Sequence, residues 1–196
     1  MRSVTIASVV EGHGDVQALP VLLRRIAAEV DPGSNLWVPR PFRINRSGLV
    51  RPGRMEAVVQ TLGDWVTGAG GVLVLIDADE DCPADLGPSL SERAQTARPD
   101  KNVAVVLANR EFEAWFLASA PSLAGRRGLP EVLESPTDPE SIAGAKEWLS
   151  HRMPDAPYKE TSDQAAFAAV FDTKAARAKA PSFDKLWREA ERLIRA

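Results

Sequence analysis

The sequence predicts an α/β fold, with a parallel sheet flanked by helices and a helical extension at its C-terminal end. Three observations carry this. Short apolar runs rich in β-branched residues alternate with helix-spaced segments up to residue 118. Two of those runs stop abruptly at carboxylates: VTIASVV runs into Glu11, and GVLVLI runs into Asp77. After residue 118 the pattern holds only helices and loops. The division is therefore an α/β core over residues 1–118 and a helical extension over residues 119–196, packed on the core as one compact unit.

The first run, residues 4–10, is apolar at consecutive positions, as expected of a strand buried on both faces. The turn EGHGD (11–15) follows, where glycines permit positive φ and close backbone approach. Residues 16–30 carry Val16, Leu19, Leu22, Leu23, Ile26 and Val30 on one helical stripe, with Pro20 expected to kink or shift the helix start. Residues 36–44 (LWVPRPFRI) read as extended, and their two prolines place them at a sheet edge. A helix is predicted over 55–66 and a second buried strand over 72–76. After a Pro/Gly loop at 82–88 comes a short helix over 89–97, capped by Ser89 or Ser91. A third strand covers 103–107. Asn109 can cap a helix over 110–118. Beyond a loop at 120–139, helices are expected over 139–152, 162–171 (with 173–178 as an extension of it) and 183–194.

Composition excludes several classes. The formal net charge of −3 gives no global basic field to attract nucleic acid, so any such binding needs a local patch. Cys82 is the only cysteine and His13 and His151 are the only histidines, which rules out an internal disulfide and a Cys- or His-rich metal site. A metal would have oxygen ligands, favouring Mg²⁺ or Mn²⁺. No signal peptide is visible, and no run approaches the ~18 apolar residues of a membrane span. The expectation is a cytoplasmic chain without membrane contact.

Ligands of parallel α/β sheets bind at the carboxyl ends of the strands. Glu11 and the pair Asp77 and Asp79 stand at such ends. Residues two apart in an extended chain project to one side, so Asp77 and Asp79 can share one cation. Clustered carboxylates repel each other, and a divalent ion removes that repulsion while polarising a phosphoryl oxygen or a bound water.

Glu11-Gly12 with Asp15, followed by Asp77-Ala78-Asp79, resembles the Toprim domain of topoisomerases, primases and related nucleases, itself a Rossmann-like parallel sheet. REFEAWFLA (110–118), Tyr158-Lys159-Glu160-Thr161 and PSFDKLW (181–187) extend the likeness to the Toprim-related family known as domain of unknown function 4276, related to OLD-type nucleases. The resemblance implies Glu11 as general acid/base or metal ligand, and Asp77 and Asp79 as metal ligands. It also implies Glu111 or Glu113 as a further catalytic carboxylate, and Lys159 as the lysine that steadies the scissile phosphate. Residues two apart on a helix diverge, so only one of Glu111 and Glu113 is expected in the site.

Plainer roles stand beside these. Glu11 can serve a helix dipole, Asp15 a helix cap, and Asp77 and Asp79 side-chain turns. Glu80 and Asp81 read as solvated, Lys159 also fits a surface lysine, and Cys82 fits a loop thiol. Arg40, Arg43, Arg46, Arg51 and Arg54 form an acid-free stretch suited either to phosphate contacts or to a solvated basic face. The leading functional expectation is a Mg²⁺- or Mn²⁺-dependent phosphodiester enzyme, a nuclease on DNA or RNA. The alternatives are a non-catalytic module working with a separate ATPase partner and an enzyme of small phosphate esters.

Overall fold

A computed structural model describes residues 2–196. Its centre is a five-stranded, all-parallel sheet. The strands are β1 (Arg2–Val10), β2 (Ser34–Trp37), β3 (Phe42–Arg43), β4 (Ala69–Asp77) and β5 (Val103–Ala108). Along the path β2-β1-β4-β5, β1 and β4 are central. Edge β2 pairs with the first half of β1 and β3 with its end, Val9 opposite Phe42 and Val10 opposite Arg43. Pro39 and Pro41 lie between the two short strands, where their missing donors cost no ladder bond.

Helix α1 (Asp15–Val30) crosses from β1 to the edge. It runs through Pro20 without a break. Helices α2 (Arg46–Val50) and α3 (Arg54–Trp65) precede β4, and α4 (Pro83–Ala97) precedes β5. The expected loop at 82–88 is instead the first turns of α4. Pro83 sits at its N-terminus, where the ring presets φ and no donor is needed. In contrast, the helix expected over 110–118 shrinks to α5 (Ala114–Ala118). Arg110 adopts a left-handed φ of 60° and Asn109 does not cap, so Glu111 to Glu113 form a turn ahead of the helix. The segment expected as one helix over 139–152 is a 3₁₀ turn at Pro139–Ser141 and a short α6 (Ala145–Ser150), separated by Gly144 at φ 76°. Helices α7 (Glu160–Ala168), α8 (Thr173–Lys179) and α9 (Pro181–Arg195) complete the chain, with α8 separate from α7.

The strand period of two sorts the core into two layers. Val4, Ile6, Leu73, Leu75, Ala104 and Val106 face α1 and the C-terminal helices. Ala7, Val9, Val72, Val74, Val105 and Leu107 face α2, α3 and α4. The extension is therefore one wall of the main core. In α9, Phe183, Leu186, Trp187, Ala190 and Ile194 are buried against β4, β5 and α1. Among the described residues no helix is long and apolar enough to cross a membrane.

Candidate functional site at the carboxyl edge of the sheet

Leu73 and Leu75 point toward the C-terminal helices, and Asp77 continues their side of β4. This parity carries the carboxyl under the turn that leads into α5, where Oδ1 accepts the Phe112 N–H at 3.0 Å. Burial pushes the Asp77 carboxyl well above the usual carboxylate range. The charges of Asp15, Glu113 and Glu11 push the same way, and Lys146 opposes them.

Asp79 does not share this direction. The strand stops at Asp77, and Asp79 takes a left-handed φ of 51°, which breaks the extended geometry that would have kept the two aspartates parallel. Asp79 is exposed and pairs with Arg46 Nε at 3.3 Å. Arg46 also donates to the carbonyls of Asp77 (3.1 Å) and Ala78 (3.2 Å) and bonds Asp81. It thus clamps the loop after β4. Of the five arginines considered for phosphate contact, Arg40, Arg43, Arg51 and Arg54 are exposed and make no side-chain ion pair among the described residues.

Glu11 follows β1, the strand beside β4. Its Oε2 is buried without a hydrogen-bond donor. Burial raises its pKa, Asp79 and Asp15 add to the rise, and Arg46 lowers it. Neither glycine of the turn has a positive φ; their service is close approach. A Cβ on Gly14 would sit 1.9 Å from Gln164 Oε1 and 2.6 Å from the Glu160 carbonyl. The bare backbone lets Gly14 N–H donate to Glu160 Oε1 at 2.9 Å. Asp15, 5% exposed, accepts the Gly12 N–H at 2.8 Å and Gln164 Nε2 at 2.7 Å. Asp15 therefore ties the turn to α7.

Glu113 is fully buried. Burial pushes its carboxyl up to about 8, against the pull of Lys146 and of the Tyr158 hydroxyl. Tyr158 Oη donates to Glu113 Oε1 at 2.9 Å. Oε2 has no hydrogen-bond partner, and Lys146 Nζ stands 3.9 Å away. Lys146 also reaches Glu160 Oε2 at 3.6 Å. Burial draws the ammonium down, but Glu113, Asp77, Glu160 and Glu111 outweigh it and hold Lys146 above its ordinary value. Glu111 is half-buried and accepts the Lys146 backbone N–H at 3.2 Å. Of the glutamate pair, it is Glu113 that lies beneath the carboxylates.

Lys159 precedes α7 in extended conformation, so its neighbours Tyr158 and Glu160 turn inward and Lys159 turns out. It is exposed, and its ammonium has no partner among the described residues.

The model of the family described as Domain of unknown function (DUF4276) matches residues 10–191. The chain belongs to the DUF4276 family. No curated protein and no solved structure matches it.

The candidate site contains more than its strand-end acids. Lys146, Arg46 as a clamp, and Gln164 as the partner of Asp15 carry no local signal. Lys146 lies in a segment (AGAKEW) where its ammonium meets only carboxylates distant in sequence, Glu113 and Glu160. Only Tyr158 and Glu160 stood in a recognisable string, and there the adjacent lysine drew the role. Among the described residues of this DUF4276 chain, no three His, Cys, Asp or Glu side chains are arranged to hold a metal ion. The donor chemistry still suits a cation: Glu11 Oε2 and Glu113 Oε2 are buried acceptors lacking donors, the charges of Asp15, Glu113 and Glu11 push Asp77 up, and those of Asp79 and Asp15 push Glu11 up. A positive ion among them relieves both costs.

Proposed function

We propose that this DUF4276 protein is a Toprim-like, Mg²⁺- or Mn²⁺-dependent phosphodiester hydrolase, a nuclease acting on DNA or RNA. The observation that supports it is the meeting of Glu11 and Asp77, at the ends of the adjacent parallel strands β1 and β4, with Glu113 from the turn between β5 and α5, two of their oxygens being acceptors that lack donors. In this reading Glu11 and Asp77 would hold the ion, and Asp79, paired with Arg46, would be a further carboxylate for it. The ion supplies charge neutralisation at a phosphoryl oxygen. Glu113, held up to about 8, carries a proton at neutral pH and is suited to general acid/base work, where a value near the working pH is most effective. Tyr158 and Lys146 orient that carboxyl. Lys146 is nearer the acids than Lys159 and takes the phosphate-steadying role that sequence resemblance lent to Lys159.

The test is supercoiled plasmid with Mg²⁺, Mn²⁺ or EDTA, comparing wild type with Asp77→Asn/Asp79→Asn. Metal-dependent nicking lost in the variant is expected; equal nicking by both rejects the site. A second reading, a binding or regulatory module working beside a separate ATPase, is favoured by the pairing of Asp79 with Arg46 and by the absence of a ready three-carboxylate cage among the described residues. Metal binding with no cleavage by folded wild type selects it.

A further inference from the structure

A cavity of about 560 Å³, within the roughly 300–1,000 Å³ of ligand sites, opens between the β1–α1 turn and edge strand β3. Its wall includes His13, Arg40, Phe42, Arg43, Trp65 and Thr161. Two of these join it to the acid site: His13 belongs to the turn that begins at Glu11, and Thr161 follows Glu160, which holds Gly14. Phe42 and Arg43 come from edge strand β3, in register with the last residues of β1. The cavity and the acids thus share one end of one strand.

Its chemistry differs from that of the acids. Phe42 is 43% exposed although it lies on a strand, and its ring stands 6.3 Å from that of Trp65 at an interplanar angle of 54°. The pair makes an open aromatic wedge. Arg40 and Arg43 flank it, exposed and without ion-pair partners among the described residues. Cations beside an uncovered aromatic face, in a chain of net charge −3, complement a strand that offers phosphates and flat bases together. In a duplex the base faces are covered by their neighbours; an unpaired base leaves one free.

We infer that the His13–Phe42–Trp65 cavity is a stacking subsite for an unpaired nucleobase, with Arg40 and Arg43 on its flanking phosphates, and that a single-stranded nucleic acid is what reaches the carboxylates. That the strand is cut there rests on the function proposed above; that it binds does not.

The experiment measures binding of short labelled strands to the full chain by fluorescence anisotropy. It uses wild type in EDTA and Asp77→Asn/Asp79→Asn in Mg²⁺. The probes are single-stranded DNA, RNA of the same sequence, the same DNA with abasic sites, and a blunt duplex. Phe42→Ala is expected to weaken base-bearing strands roughly 5- to 150-fold, which is the ~1–3 kcal/mol of base–aromatic stacking at ~1.4 kcal/mol per tenfold. It should leave the abasic strand unchanged. Arg40→Gln/Arg43→Gln should weaken both and flatten the slope of log K against log salt by roughly 1.4, at ~0.7 per phosphate contact on single strands. The DNA and RNA arms report which sugar is accepted. Equal loss on base-bearing and abasic strands, no loss with Phe42→Ala, tighter duplex binding, or no binding at all each overturns the subsite. Plasmid cleavage with no dependence on Phe42 leaves the proposed function standing while the subsite falls. Base-dependent binding without cleavage does the reverse.

Discussion

Replacing Glu113 by Gln removes a titrating group from the centre of the molecule while keeping its size and an oxygen to accept the Tyr158 hydroxyl. Wild-type Glu113 holds its proton to about 8 in the fold, against 4.5 in the open chain. The folded state therefore binds more protons than the unfolded state over this interval, and stability falls as pH rises through it. What burial of the neutral acid allows is fully present below pH 4.5 and is lost as pH passes about 8. At ~1.4 kcal/mol per decade of pH, the change between pH 4.5 and 7 amounts to about 3 kcal/mol. Asp77, Glu11 and Asp15 also have raised values, so both proteins keep a residual slope of the same sign. The quantity to read is the difference between them. Urea unfolding of wild type and Glu113→Gln, at intervals from pH 4.5 to 9, should show the variant gaining about 3 kcal/mol relative to wild type by neutrality. A difference that stays flat within ~1 kcal/mol, or that runs the other way, would falsify the placement of a protonated carboxyl at this position.

Three further outcomes follow from neighbouring contacts. Tyr158→Phe removes the hydroxyl that lowers the Glu113 pKa, so the Glu113 carboxyl should titrate still higher by carbon-detected NMR; an unchanged or lower midpoint refutes the bond. Gly14→Ala places a methyl against Gln164 and the Glu160 carbonyl and should cost ~1–3 kcal/mol in urea unfolding, whereas a neutral effect means the β1–α1 turn and α7 are not in contact. Ser182 accepts the Trp115 indole N–H at 2.8 Å and the Asn109 N–H at 3.1 Å, and it donates to Glu140; Ser182→Ala should cost roughly 1–3 kcal/mol for each buried group left unpaired, and a loss under ~0.5 kcal/mol rejects the network.

Where the chain reports locally, its sequence is legible. The three long strands are consecutive apolar runs because both faces of a central parallel sheet are covered, and such runs can be read without knowing their neighbours. Helix α9 is legible because Phe183, Leu186, Trp187, Ala190 and Ile194 repeat at helical spacing. Misreadings fall where one residue's backbone overrules a pattern. Arg110 and Gly144 each take a positive φ and cut short a segment that reads as a longer helix. Asp79 does the same to a pair of aspartates that would otherwise project together. Pro83 had the opposite effect: a residue that reads as a breaker starts α4.

The sequence by itself determined which residues end the strands. Parallel strands must stop at the same edge, so Glu11 and Asp77 meet wherever β1 and β4 are neighbours. It could not determine what covers that edge. Lys146, Tyr158 and Gln164 arrive from the C-terminal helices, more than thirty positions from any acid they touch on β1, α1 or the α5 turn. Their role depends on α7 packing on α1 and on α6 lying over the α5 turn. Side chains of one strand or one helix are ordered by a fixed period that the chain carries with it. Contacts between distant segments are ordered only by the packing of the whole core, which is why Lys146 faces the carboxylates while Lys159 faces solvent.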